Sequence, residues 1–207
     1  LASWLPLSLR STKLNLIFST DSHGRTLDIF YRHCSRTKHT ITIMEVLNTG
    51  SIIGMFASQA WHNSSHVYGD GECFLFRASP NPQCFKWKHD DTIEVLSFEE
   101  DSHDGIGVSM TSSPDQEVAA VMEHFMVSRS NFISMGGTVD GSSGLRLNED
   151  LSTGESACAL GFNNDPLGGP DQPQFEIGLV EVYGLVREMD GRAVVDGAND
   201  QMWDPGF

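Results

Sequence analysis

His62 and His66 stand four residues apart, with Asp70 and Glu72 close behind. On a helix this spacing would turn two imidazoles toward one metal ion. Asn63-Ser64-Ser65 between them is poor helix material, however, and Tyr68-Gly69-Asp70-Gly71 reads as a loop. The segment is therefore expected to be a surface loop, and no metal site is assigned to it. Glu72 and Glu181 would suit acid–base work as a carboxylate pair, but sequence neither joins nor separates them. Each is read as a hydrogen-bonding or interface residue.

Nucleophilic chemistry finds little support. Cys34, Cys73, Cys84 and Cys158 form no C-x-x-C pair, and their gaps fit no zinc framework. They are expected to be ordinary buried or partly buried thiols. The carboxylate of Glu72 beside Cys73 disfavours its thiolate, the reactive form. Gly141-Ser142-Ser143-Gly144 lacks the spacing of a nucleophile elbow. No G-x-x-x-x-G-K-[ST] or G-x-G-x-x-G loop is present to cradle a nucleotide, so no cofactor is expected.

The elements that would position these residues follow from the apolar pattern. Leu14–Phe18, Ile41–Val46, Ile52–Ala57, Cys73–Phe76, Ile93–Leu96, Phe132–Met135 and Phe175–Tyr183 read as strands, separated by turn signals such as Asn48-Thr49-Gly50 and Asp70-Gly71. In the last of them Phe175, Ile177 and Leu179 alternate with Glu176 and Gly178, as a half-buried strand requires. Leu27, Phe30, Tyr31 and Cys34 form one helical stripe after Gly24. A second helix is expected from Ser113-Pro114-Asp115-Gln116, a capping box with proline at N1, followed by the stripe Val118, Val121, Met122 and Phe125. Many short strands at this spacing predict an α+β, mainly β fold, a sandwich or barrel rather than a βαβ sheet. Gly54 inside a strand signals a bulge or a close approach.

The length of 207 residues suits one domain, or one domain with a sizeable insertion. With 13 basic and 28 acidic side chains the chain carries −15, which argues against gripping nucleic acid or anionic lipid. No apolar run approaches the roughly 18–20 residues that cross a bilayer, so no direct membrane insertion is expected. Residues 1–89 are net +4 and residues 90–207 net −19. The split fits two distinct surfaces, one facing a basic partner, and equally a solvated acidic face.

Several segments taken together resemble the TLDc domain family. They are Phe18-Ser19-Thr20-Asp21-Ser22-His23-Gly24, Gly50 to Trp61, and Tyr68-Gly69-Asp70-Gly71-Glu72-Cys73-Phe74-Leu75-Phe76. Gly144-Leu145-Arg146-Leu147, Phe162-Asn163-Asn164-Asp165-Pro166-Leu167 and Phe175 to Gly184 follow in the family's order. The resemblance covers residues 1–186, with an insertion read at 99–130 and an acidic tail at 187–207. It implies a two-sheet β-sandwich flanked by helices. It further implies a non-enzymatic interaction module without a catalytic centre, linked to oxidative stress resistance, that binds peripheral subunits of the vacuolar-type proton ATPase and modulates the pump's assembly or activity. Such a protein would be cytoplasmic, or peripheral on an organelle membrane through its partner. The contact residues expected are His62, His66, Asp70, Glu72, Asp165, Glu181, Met202 and Trp203. The main alternative is a structural accessory subunit of another large assembly that docks through the 99–130 insertion. An antioxidant enzyme using Cys73 or Cys158 is a third reading, for which spacing supplies neither a resolving cysteine nor a base.

Overall fold

The computed structural model describes residues 1–88, 124–138, 140–169, 172–189 and 192–195. β-Branched and aromatic residues alternating along short runs produce β1 (Lys13–Ser19), β2 (Thr40–Val46), β3 (Ser51–Ala57) and β4 (Phe74–Ser79), each close to its expected place. β5 (Gln83–Lys86), β6 (Val127–Ser128), β7 (Phe132–Gly137), β8 (Ser143–Asn148) and β9 (Thr153–Glu155) follow. The series ends with β10 (Gln174–Met189) and β11 (Arg192–Val195). One helical turn, α1 (Thr20–His23), precedes the expected helix α2 (Leu27–Cys34). The Thr26 hydroxyl caps α2 by accepting from the Ile29 N–H, and the stripe of Leu27, Phe30 and Cys34 is buried.

All pairings are antiparallel, in the order β5-β4-β3-β2-β10-β9-β8-β7-β6, with β1 and β11 also paired to β10. The mainly β class is therefore as expected. The strands form one continuous ladder rather than two unlinked sheets, because the sixteen-residue β10 serves both halves. Its start pairs with β9 through Phe175 and Gly154. From Ile177 it pairs with β2, with an irregularity between Ile177 and Val180, and from Glu181 it also pairs with β1 on its other edge.

One hydrophobic cluster joins the halves: Phe18, Phe30, Met44, Ile53, Met55 and Leu75 pack with Ile133, Met135, Leu145 and Leu147. Burying each such side chain stabilises the fold by about 1.5–3 kcal/mol. A second cluster lies on the opposite face of β2–β4. There Ile41, Phe56, Phe74 and Phe76, with Leu185, are covered by Leu5 and Leu9 from the N-terminal segment. The Phe56 and Phe74 rings stack at 4.9 Å. Gly54 is the close approach expected of it, since a Cβ there would sit 2.2 Å from the Thr42 carbonyl and 2.5 Å from the Phe76 ring.

Ile93–Leu96 and the helix expected from Ser113 lie outside the described residues. Phe125, placed by sequence at the end of that helical stripe, is not helical; its ring meets Trp87 edge-on at 5.2 Å. The described end of the 99–130 stretch belongs to the fold itself, because Met126 is fully buried and β6 pairs with β7. Among the described residues, no helix is long and apolar enough to cross a membrane.

Candidate functional site

Trp61 anchors the loop that carries most of the expected contact residues. Its side chain is fully buried, and its indole N–H donates to Thr40 Oγ1 at 3.1 Å. The chain beyond it emerges into solvent with His62 and His66 exposed. His62 Nδ1 lies 2.9 Å from its own Ala60 carbonyl, with the ring against Tyr68 at 4.4 Å. His66 Nδ1 lies 3.0 Å from Ser65 Oγ. As expected, the segment is a loop and not a helix, and the two imidazoles have separate partners. Among the described residues, no group of three or more metal-binding side chains occurs.

A second segment is hydrogen-bonded along this loop. Tyr68 and Met126 exchange backbone hydrogen bonds at 3.0 and 2.8 Å, and the Ser64 N–H donates to the Ser128 carbonyl at 3.1 Å. Tyr68 and Ser128 share a hydroxyl hydrogen bond at 2.6 Å, and the Arg129 guanidinium donates to the Ser64 carbonyl. Burial pushes the Tyr68 phenol above its ordinary range, partly offset by the Ser128 bond. The Tyr68 phenol thus stays neutral and its hydroxyl joins the two segments.

Asp70 shapes the turn into β4. Its Oδ1 accepts from the Glu72 N–H at 2.9 Å, and its carbonyl accepts from the Cys73 N–H at 3.1 Å. The Glu72 side chain is left exposed. Cys73 is buried with its Sγ 3.3 Å from Ser58 Oγ, and burial drives its thiol upward, away from the nucleophilic thiolate. Cys34 is likewise buried and shifted up, Cys84 is half-buried, and Cys158 is exposed.

Asp165 belongs to a different place. Its neighbour Asn164 is buried, accepting from the Ala159 N–H at 3.1 Å and donating to the carbonyls of Ala157 and Asp165 at 2.8 and 3.0 Å. These bonds fix a tight loop from which Asp165 projects into a cleft of about 470 Å³, shared with Arg77, Pro80 and Leu167. Arg77 and Pro80 mark the far end of β4, whereas His62 to Glu72 precede its start. Arg77 is five positions from Glu72, about 16 Å along an extended chain, and Pro80 lies farther still.

Glu181 occupies a third position, in β10 between Ser19 of β1 and Ile43 of β2. Sequence reads it as a hydrogen-bonding or interface residue. It is half-buried, and its Oε2 accepts from the Tyr183 hydroxyl at 2.7 Å. That bond raises the Tyr183 phenol. Three strand steps, about 14 Å, separate Glu181 from β4, which excludes a carboxylate pair with Glu72. Met202 and Trp203 lie outside the described residues.

Arg25 was not singled out from sequence, where an isolated arginine gives no spacing signal. Its guanidinium donates to the carbonyls of Leu151 and Ile177 at 3.5 and 3.3 Å and also to that of Gly178. It thereby ties the α1–α2 junction to the irregular stretch of β10.

A family model described as the TLDc domain matches residues 1–186. TBC1 domain family member 24 from Xenopus laevis is 29% identical over 97% of this chain and 38% of its own length. Oxidation resistance protein 1 from Podospora anserina is 32% identical over 74% of this chain and 48% of its own. The GTPase-activating protein skywalker from Drosophila melanogaster is 25% identical over 89% and 28%. The chain thus spans less than half the length of each of these relatives.

Proposed function

The chain belongs to the TLDc domain family, and from that membership we propose that it is a non-enzymatic protein-interaction module that binds peripheral subunits of the vacuolar-type proton ATPase and modulates the pump, in the cytoplasm or at an organelle surface through that partner. The family match over residues 1–186 carries the reading, and a relative named oxidation resistance protein 1 supports the link to oxidative stress. The same membership supports a two-sheet sandwich, whose halves share one hydrophobic cluster. The chemistry-bearing side chains fit binding better than catalysis. Cys73 is buried and Tyr68 half-buried in structural hydrogen bonds, while His62, His66, Asp70 and Glu72 project from a loop pinned at both ends. Asp165 and Glu181 are proposed as further contacts, as are Met202 and Trp203 in the acidic C-terminal residues.

The test is affinity capture of the tagged protein from gently solubilised membranes, followed by mass spectrometry. Stoichiometric peripheral ATPase subunits, reduced when His62, His66 and Glu72 are replaced by alanine together, are the expected result. Absence of every ATPase subunit overturns the reading.

A second reading is an accessory block within a larger assembly. It is favoured by the size of the relatives, in which a unit of this length is a minority of the chain. A stable set of captured proteins without ATPase subunits is the result that would select it.

A further inference from the structure

β1 pairs with β10 along one edge only, and among the described residues no strand lies along its other edge. Lys13, Leu14, Asn15 and Leu16 are all exposed, Leu14 at 52% and Leu16 at 44%. A bare strand edge offers a row of N–H and C=O groups to any extended chain, a hazard that folds ordinarily cover or blunt. Lys13 and an irregularity between Leu16 and Phe18 bound the stretch that here carries two large apolar side chains. Leu14 is opposite Leu185 and Leu16 opposite Tyr183, so the leucines continue the apolar face of the sheet out to its margin.

Lys13 stands at one end of this edge, and the other end is acidic. At the Ser19 end of β1 the sheet opens into a cleft of about 540 Å³ lined by Leu16, Asp21, Glu45, Leu179 and Glu181. Arg25 also reaches its rim, but its donors are engaged by the carbonyls of Leu151, Ile177 and Gly178. Three carboxylates therefore face a single, already occupied guanidinium.

We propose that the β1 edge is a strand-addition site for a basic, alternating segment of a protein partner. Its backbone would pair with β1, its apolar residues would cover Leu14 and Leu16, and a lysine or arginine would enter the Asp21–Glu45–Glu181 cleft. The proposal rests on the reading of the chain as a protein-interaction module, but not on the identity of the ATPase.

The probe is the synthetic peptide Lys-Val-Lys-Val-Thr-Val-Lys, with Glu-Val-Glu-Val-Thr-Val-Glu as its acidic counterpart. Titration by fluorescence anisotropy is combined with hydrogen exchange on the full chain. The basic peptide is expected to bind and to protect amides within 13–19. The variants Glu45→Lys and Leu16→Lys, both at exposed positions, are each expected to weaken it about tenfold, equivalent to about 1.4 kcal/mol. Equal binding of the acidic peptide, binding without protection of β1, or no binding at all overturns the proposal. So does a dimer in sedimentation whose interface protects β1, because a second copy of the chain would then be the occupant. Loss of ATPase capture with peptide binding intact counts against the pump reading alone.

Discussion

Trp61 donates its indole N–H to Thr40 Oγ1 across 21 positions of sequence, with both residues fully buried. The bond ties the root of the exposed His62–Glu72 loop to the first residue of β2. Trp61→Phe keeps an aromatic ring but leaves the Thr40 hydroxyl without this donor. The expected loss is about 1–3 kcal/mol in urea unfolding. Pairing it with Thr40→Val should recover part of that loss, since the stranded hydroxyl is then gone. Additive losses in the double variant would show that the two side chains do not communicate.

Asn164 should tolerate its nearest isostere poorly. Its amide nitrogen faces the carbonyls of Ala157, Asp165 and, at 3.4 Å, Gly144. Asn164→Asp would set a carboxylate against those acceptors in a buried site, so it should cost more than Asn164→Ala, by about 1–2 kcal/mol. Comparison of urea midpoints decides this, and equal midpoints would mean that the loop opens to admit water.

Thiol reactivity should rank by burial. Burial pushes the Cys84 thiol up to about 11, with Lys86 pulling it partly back. Its alkylation by iodoacetamide should rise about tenfold per pH unit between pH 7 and 10, following the thiolate fraction. Exposed Cys158 should react first, while Cys34 and Cys73 stay protected until the protein unfolds. Rapid native alkylation of Cys73, read by peptide mapping, would revive a redox role for it.

His124 gives stability a pH dependence of known sign. Burial lowers its pKa first and the charge of Arg129 lowers it further. The folded state therefore prefers the neutral ring, and the unfolded chain binds the proton more readily. The stabilisation from this group is complete above the ordinary histidine value of about 6.5 and declines as pH falls from there through the lowered value. The variant His124→Gln should show a smaller drop in Tm between pH 7.5 and 5.5 than the parent protein. An unchanged drop would assign the effect to other groups.

Local signals were written clearly where one face of an element is buried. The Leu27, Phe30 and Cys34 stripe became α2, and the period-two run around Phe175 became the start of β10. Gly54 announced its close contact because a strand interior rarely tolerates glycine without one. β5, β8 and β9 escaped notice for the converse reason. β8 interleaves Gly144, Arg146 and Asn148 with its leucines, and β9 has only three residues, so both take their form from neighbouring strands. Phe125 was misassigned because its spacing continues a helical stripe, whereas packing on Trp87 decides its place. The loop residues were legible as a loop and as polar. That Asp165 and Glu181 stand apart from them was not, since strand order is a long-range property that no local period encodes.

The central position of β10 sets a timetable for synthesis. β1 leaves the ribosome about 160 residues before the strand it pairs with, and β2 waits almost as long. At about 5–20 residues per second β1 stays unpaired for about 10–30 s, while β2 has only β3 beside it and keeps its other edge open. Folding of this domain is therefore a late event that completes only after residues 174–186 have emerged, and a nascent chain stalled upstream of Gln174 would present several open strand edges at once. Until β10 arrives such a chain is open to strand pairing with other chains, so the risk of misassembly is set by the order of synthesis and not by the finished fold's stability.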